Sequence, residues 1–551
     1  MCIKAQRNNL PFVTDGDQLM KRRDFLKSFG VGSLGYSVLN VQSAQAFPQP
    51  PRVIAPRNPR AQRLLRNPGS KSVLIVGAGL AGLSAALELS ERGYKVVVRD
   101  AMDIVGGKLA VRRETNAAGT FWVEHGLHMW FDNYHVFKNI RDRLGVNGNF
   151  RPFNEVQFKF KDYEDETIKS EPPIYPVNLL NILKNSPNMN FLDAAGTLNT
   201  IREVLFFNYK NNYERLDNIT FAELAKQRKV NKKFYDIVME PAASVTLNDP
   251  NTISAAEMCL YMHLYFLSHP KAFNREVTTK DHYTGLLKPW VEKLQKFGTR
   301  IVLSSPVEGL EIVDGQVRGV VGESAKYDSV ILATDVGATK RILARSVAQD
   351  SESELLLTKL QSCVNPLKVA PPYKVLRVWF DKKPNDTIPD CLETPQHRPI
   401  NLLARFELLE DESRAWANKT GGSVIEFHLY ATPELVGLSD SEIWPTIRNT
   451  VLDIMPEMAD ANVIASSVGS YENFTSFECG QGLLRPTSTE PQKLGVSNLT
   501  FAGDWLKTDY PSALMERAVC TGREAANSIC FADGVREEGL VVTADFGPGL
   551  I

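Results

Sequence analysis

The sequence predicts an α/β protein in which a Rossmann-like dinucleotide-binding domain is interleaved with an α+β substrate domain. Three observations carry that prediction. Ser72–Lys108, SVLIVGAGLAGLSAALELSERGYKVVVRDAMDIVGGK, runs strand, glycine turn, helix, strand and acid in the order a dinucleotide cradle needs. Strand patterns of the same kind return near Arg300 and at Ser497, after long intervals of different character. The length, 551 residues, exceeds what one core usually serves, and 43% apolar with 23% charged residues is an ordinary globular composition. A net charge of −1, with no basic cluster interleaved with aromatics, argues against a nucleic-acid partner.

The first 46 residues read as an address. Lys21-Arg22-Arg23-Asp24-Phe25-Leu26-Lys27 matches the twin-arginine export motif, an uncharged and weakly apolar run covers Ser28–Val41, and Ser43-Ala44-Gln45-Ala46 offers an A-x-A-like cleavage site. The run is too short and too rich in Gly and Ser to span a bilayer. Its alternative is a basic helix that only looks like a signal, and either Met1 or Met20 could be the start. The expectation is export to a periplasm or thylakoid lumen. Residues 47–70, rich in Pro and Arg, read as a linker.

Val73–Val76 has the composition of a strand buried on both faces. In Gly77-Ala78-Gly79-Leu80-Ala81-Gly82 the first glycine permits the turn, the second lets backbone approach a pyrophosphate, and the third lets the helix sit against the strand. Leu83–Arg92 is the helix, its N-terminus suited to an anion, and Gly93 ends it. Lys95–Val98 is the second strand, and Asp100 stands where an acid accepts a ribose hydroxyl and would repel a 2′-phosphate.

Phe131–Leu144 reads as a helix, Lys159–Lys169 as a charged hairpin-like segment, and Val177–Leu183, Leu198–Phe207 and Ala255–Leu267 as helices with large apolar faces. Ser254 and Glu257 form a capping box for the last of these and Pro270 stops it. It is either buried core or the wall of an apolar tunnel. Arg300–Ser304, Val307–Val313, Val317–Val321 and Tyr327–Thr334 follow as strands, with Asp314-Gly315 a hairpin turn. Tyr373–Phe380 and Ser423–Tyr430 supply a second sheet. The seven cysteines and eight histidines show no metal-ligand spacing, so no metal site is expected.

Gly106-Gly107-Lys108 and Glu124-His125-Gly126-Leu127-His128 resemble the second half of the FAD fingerprint of the flavin amine oxidase superfamily. Phe501-Ala502-Gly503-Asp504-Trp505, Tyr510-Pro511 and Ala513-Leu514-Met515-Glu516-Arg517-Ala518 resemble its C-terminal flavin motif. Within the superfamily, Glu124–Tyr134, Met239–Ala243, Ser254–Glu257 and Arg485-Pro486 are similar to the phytoene and zeta-carotene desaturases. The resemblance covers Ser72–Ile529 and implies a glutathione reductase-type FAD-binding fold with FAD as cofactor. Motif and resemblance together put Gly77, Gly79, Leu80, Ala81, Gly82, Asp100, Gly107, Lys108, Val307, Asp504 and Met515 at the cofactor. Glu124 and His128 are flavin-adjacent candidates, neither assigned as a base. On this reading residues 71–149, 291–343 and 495–533 bind FAD, 150–290 and 344–494 bind substrate, and 534–551 form a tail.

With one glycine fingerprint the chain is expected to bind one dinucleotide and to pass electrons to quinone or oxygen. The resemblance implies an oxidoreductase that removes hydride and proton from a long apolar polyene, with peripheral membrane contact left open. It departs from the linear desaturases at Arg517, where they usually carry Gly, and looks closer there to carotenoid ring-modifying enzymes. The alternatives are an exported flavin amine or amino-acid oxidase, and a non-catalytic flavin-binding accessory protein.

Overall fold

The computed structural model describes residues 50–546 except 170–180, 183, 191, 192, 194–202, 205, 245 and 247. The twin-arginine segment and most of the helices expected over Val177–Leu183 and Leu198–Phe207 lie outside the described residues.

β1 (Ser72–Val76) is followed directly by α1 (Leu80–Ser90) and β2 (Lys95–Arg99). Val73, Leu74, Ile75 and Val76 are all buried because β1 is the middle strand of a five-stranded parallel sheet. β3 (Arg300–Val302) flanks β2, and β4 (Ser329–Leu332) and then the strand Leu499–Phe501 complete the other side, in the order β3-β2-β1-β4-Leu499–Phe501. Three distant stretches of chain thus build one sheet. α1 is buried along its whole length and begins three residues earlier than its apolar periodicity suggests. A Cβ at Gly82 would stand 1.9 Å from the Gly77 carbonyl oxygen, so only glycine lets the helix start this close to the turn.

The stretch read as a linker contributes structure of its own. Arg52–Ile54 pairs antiparallel with Leu540–Val542, and Arg57 donates to Glu537 at 2.8 Å, fastening both ends of the described chain together. α2 (His135–Leu144) starts later than expected because Trp130–Phe131 is a strand paired with Arg275–Glu276. The Lys159–Lys169 segment is the loop and second strand of a hairpin formed by Glu155–Phe158 and Glu166–Lys169. α3 (Ala255–Met262) continues into a wider π turn over His263–Leu267. Ser254 Oγ accepts from the N–H groups of Ala256 and Glu257 at 3.1 and 3.4 Å. The other half of the expected capping box does not form: the Ser254 N–H donates to the Phe477 carbonyl and the Glu257 carboxylate turns into the core.

β5 (Tyr373–Phe380) and β6 (Ser423–Leu429) are neighbours in a seven-stranded sheet, ordered Val463–Tyr471, β5, β6, Leu402–Arg405, Cys391–Glu393, Glu155–Phe158, Glu166–Lys169. Their period of two sorts the side chains. Leu376, Val378, Phe380, Ile425, Phe427 and Leu429 face a core shared with helix Asp440–Ile454. Tyr373, Arg377, Glu426 and His428 alternate with them and face the Trp122–His128 segment, which follows β1 and β2 in the chain. α4 (Leu514–Ala532) crosses α1 so closely that a Cβ at Gly522 would lie 2.1 Å from the Ala81 carbonyl oxygen. Among the described residues, no helix is long and apolar enough to cross a membrane.

Candidate functional site

The glycine turn and the Gly106-Gly107 pair meet above the first sheet. Gly79 bridges Gly106 in parallel fashion, the Gly106 N–H donates to the Ala78 carbonyl at 2.9 Å, and a Cβ on Gly107 would come within 3.1 Å of the Gly79 Cα. Gly106 and Gly107 take φ of 116° and 58°, values that favour glycine. A Cβ on Gly79 would meet nothing nearer than 3.8 Å, so the second glycine leaves open space rather than relieving a clash. α1, with Leu80 and Ala81 its first residues, has no side-chain cap on its N-terminus and no acid in its first turn. Uncapped N–H groups at the head of a buried helix are a site for an anion. The residues present therefore fit the pyrophosphate of a dinucleotide.

Asp100 closes β2 and is half of the same construction. One carboxylate oxygen accepts from the Ala78 N–H at 2.6 Å and the other from the Met102 N–H at 2.8 Å, each keeping a second lone pair. Burial pushes its pKa above the ordinary value. The Ser305 N–H donates to the Asp100 carbonyl at 2.8 Å, which brings the following buried Val307 to the same edge of the sheet.

Lys108 and Asp504 join the two sequence motifs directly: Lys108 Nζ donates to both Asp504 oxygens, at 2.9 and 2.7 Å. α4 begins just beyond. Its N-terminus has no side-chain cap, and Leu514 is held at φ 50°, a strained conformation for leucine. Met515 is the second residue of that helix. Its neighbour Glu516 turns to α2, accepting from the Val136 and Phe137 N–H groups at 2.7 and 3.0 Å. Arg517 points the other way, with Arg485, at Glu257. Arg485 Nη1 lies 2.6 Å from one Glu257 oxygen, Arg517 Nη2 3.7 Å from the other, and the Tyr213 hydroxyl donates to the first. Burial raises the Glu257 pKa, but the two arginines outweigh it and hold the carboxyl below its usual range.

Glu124 and His128 do not stand free beside this cradle. Glu124 accepts from the His282 backbone N–H at 2.8 Å and is fully buried; burial and the neighbouring Glu410 push its pKa well up. His128 donates from Nδ1 to the Gly126 carbonyl at 2.7 Å, and burial lowers its pKa to about 4. Glu124 ties its segment to the backbone at His282, and His128 fixes the backbone of the segment itself. The segment in turn touches residues that the sequence reading missed. His428 Cε1 lies 3.3 Å from where a Gly126 Cβ would be; Glu426 accepts from His428 Nε2 at 2.8 Å and from Arg377 Nε and Nη2 at 3.0 and 2.9 Å. Glu426, His428 and Tyr430 occupy alternate positions of one strand pattern, and that period of two in an otherwise apolar run was the available signal.

An aromatic wall connects these parts. Ring centroids run from Phe131 to Tyr265 (4.1 Å), Tyr265 to Tyr261 (5.4 Å), Tyr261 to Phe477 (5.7 Å), Phe477 to Phe474 (5.8 Å) and Phe474 to Tyr373 (6.5 Å). Lys108 Nζ sits 5.3 Å from the Phe474 ring, so the wall passes beside the Lys108–Asp504 pair before reaching Tyr373. α3 supplies Tyr261, whose buried hydroxyl has no partner among the described residues.

The sequence signature described as "Flavin containing amine oxidoreductase" matches residues 80–530. A carotenoid phi-ring synthase of Chlorobaculum tepidum is 25% identical over an alignment of 653 residues, covering 95% of this chain and 99% of that one. Another, of Streptomyces griseus, is 26% identical over 482 residues, covering 85% and 89%. The 15-cis-phytoene desaturase of Solanum lycopersicum is 24% identical over 483 residues, covering 83% and 77%. Among solved structures, an oxidoreductase from Methanosarcina mazei superposes with a TM-score of 0.59 at 16% identity, over 82% of this chain and 99% of that one. Putrescine oxidase does so with 0.59 at 15%, over 84% and 99%. At such identities the structural likeness shows the fold.

Proposed function

The chain belongs to the family of flavin-containing amine oxidoreductases and is an FAD-dependent oxidoreductase, and we propose that its substrate is a carotenoid, modified at an end ring. The observation that carries this reading is the match, over 85% and 95% of the chain, to two proteins named carotenoid phi-ring synthase. The site supports it. A polyene offers no charge to steer by, so recognition rests on apolar and aromatic surface, worth about 25 cal/mol per Å² buried. The wall from Phe131 to Tyr373 supplies such surface. An amine would need a free carboxylate or comparable partner, whereas Asp504 is engaged by Lys108, Glu257 by two arginines and Glu426 by Arg377 and His428.

Bound FAD supplies a two-electron acceptor for hydride. The protein's part is to hold a target bond in place, exclude water and take the accompanying proton. Gly77, Gly79, Gly82, Asp100, Gly107, Lys108, Val307, Asp504 and Met515 are the residues that would hold the cofactor. The reduced cofactor passes its electrons to quinone or oxygen on this reading, and the twin-arginine segment directs the protein out of the cytoplasm; a mature N-terminus near Phe47 in the native protein would support that, and an intact Lys21–Lys27 would oppose it.

The test of the substrate is incubation of FAD-loaded protein and a quinone with carotenoids that have cyclic or acyclic ends. The expected product comes from the cyclic substrates and has lost hydrogen at the ring. Conversion of acyclic substrates alone would refute the ring assignment, and conversion of amines alone would favour the oxidase.

A further inference from the structure

Removal of hydride from one carbon leaves a proton to be taken from the next, and an all-hydrocarbon substrate cannot supply its own base. Of the carboxylates named above for the cofactor, Asp100 is held by the Ala78 and Met102 N–H groups and Asp504 by Lys108. Glu124 and His128 are spent on backbone N–H and C=O groups. The face of the second sheet turned toward the Trp122–His128 segment offers a different set. On β6 and the residue after it, Glu426 and His428 are followed by Tyr430, and the Tyr430 hydroxyl sits in hydrogen-bond contact with His428 Nδ1. Glu426 occupies the far nitrogen, Nε2, at 2.8 Å. Nε2 faces both the Glu426 carboxylate, at 2.8 Å, and the Leu127 N–H, at 3.4 Å; the carboxylate can only accept and is much the nearer, so the proton is assigned to Nε2 and Nδ1 accepts from the phenol. Arg377 holds Glu426 from the side opposite His428, and although burial pushes that carboxyl up, Arg377 and His428 keep it below its usual range. A base oriented by an acid and set against a weakly acidic hydroxyl is the arrangement by which a hydroxyl becomes a proton acceptor.

Its position is the second observation. The Tyr430 ring meets Tyr373 edge-on at 5.6 Å, and Tyr373 is the end of the aromatic wall that reaches Lys108 and Asp504. The Tyr373 hydroxyl contacts His125 Nδ1 at 3.3 Å, and the His125 ring packs tilted against Tyr471, with centroids 3.4 Å apart. Tyr430 is therefore the member of the triad that packs among the aromatics of the site, while His428 and Glu426, buried, face the Trp122–His128 segment.

We propose that Tyr430, backed by His428 and Glu426, is the proton acceptor of the reaction. The inference rests on the carotenoid reading above. The electron pair of the second C–H bond stays on carbon as the new C=C bond. Its proton bonds to Tyr430 Oη while the proton already on Oη passes to His428 Nδ1, leaving an imidazolium against the Glu426 carboxylate. The first C–H pair has left as hydride to the two-electron acceptor of the proposed reaction, so atoms and charge balance. Tyr430 is the residue that meets substrate; His428 and Glu426 position it and store the proton.

The test uses Tyr430→Phe and His428→Gln in the FAD-loaded protein. Both should retain full FAD occupancy, and both should slow anaerobic flavin reduction by a carotenoid at least ~100-fold, the low end of what a positioned base contributes. Solvent deuterium should slow the wild type and leave Tyr430→Phe unaffected. Independently of turnover, the proton NMR spectrum should show a far-downfield imidazole N–H that survives in Tyr430→Phe and vanishes in His428→Gln. Unchanged reduction rates in both variants, or persistence of that resonance in His428→Gln, would overturn the relay and leave the carotenoid reading intact. If no carotenoid reduces the wild type, that reading fails and the relay falls with it.

Discussion

The second and third glycines of the cradle do different work. At Gly82 a Cβ would be driven to 1.9 Å from the Gly77 carbonyl, a backbone atom that cannot swing away, whereas at Gly79 a Cβ would meet ordinary contacts at 3.8 Å. Gly79→Val is thus expected to fold and to lose FAD, since its methyls fill the space that the uncapped α1 N-terminus leaves for the pyrophosphate. Gly82→Ala is expected to lower the stability of the apo-protein itself. Unfolding of both apo-variants beside flavin retention measures the difference, and full FAD occupancy in Gly79→Val would defeat the assignment. Glu257 shows a similar division of labour. Its spacing from Ser254 suggests a cap, yet its carboxylate holds Arg485 and Arg517 in the core. Glu257→Ala leaves two buried guanidinium groups without their carboxylate and should cost about 3–5 kcal/mol. A denaturant midpoint equal to the wild type's would contradict this.

Among elements, the ones that repeat a local rule were legible and the ones that depend on a distant partner were not. β1, α1 and β2 follow from an apolar run, three glycines and a helical period. α2 was read too long because nothing in Trp130–Phe131 announces its pairing with Arg275–Glu276, well over a hundred residues away. The Glu426–His428–Tyr430 set was missed for the same reason: what makes it a site is the register of β5 on β6, with Arg377 opposite Glu426, and the segment beneath. The contacts of α2 with α4 are likewise invisible in sequence. Glu516 meets the Val136 and Phe137 N–H groups with one oxygen each, so Glu516→Gln replaces an acceptor by an amide N–H₂ facing a donor. That nominally conservative change should cost about 1–3 kcal/mol. A denaturation midpoint equal to the wild type's would show that the carboxylate is not what docks α2.

At the scale of the whole molecule, buried carboxyls and histidines set the dependence of stability on pH. Burial raises Glu393 and Glu524 to about 7 from an ordinary 4.5, and raises the Glu124 and Glu410 pair in the same direction. The stability these groups contribute is present below their unfolded pKa and is lost as pH rises through the folded values. Glu88 runs the other way. Burial opposes its charge, but Arg523, Arg143 and Arg92 hold it at about 2, so its contribution is lost as pH falls from 4.5 toward that value. His128, His135 and His263, buried and lowered from 6.5 to about 4, also lose their contribution as pH falls through that range. The denaturation midpoint of the apo-protein is therefore expected to fall below about pH 4.5, where Glu88 and the histidines both lose their contributions, and to fall again above about pH 6.5, where only the raised carboxyls still titrate. A midpoint that climbs from about pH 6.5 to 8 would contradict this balance.

We propose that an apolar carotenoid, and not an amine, gives its hydride to the FAD that Gly79, Lys108 and Asp504 would hold. The most direct measurement is anaerobic bleaching of the bound flavin. Carotenoids with cyclic ends, delivered in detergent or lipid, should discharge the yellow absorbance of the FAD-loaded protein, while amines and amino acids leave it unchanged. Bleaching by amines or amino acids, with none by any carotenoid, would contradict the claim and place the protein with the oxidases of its family.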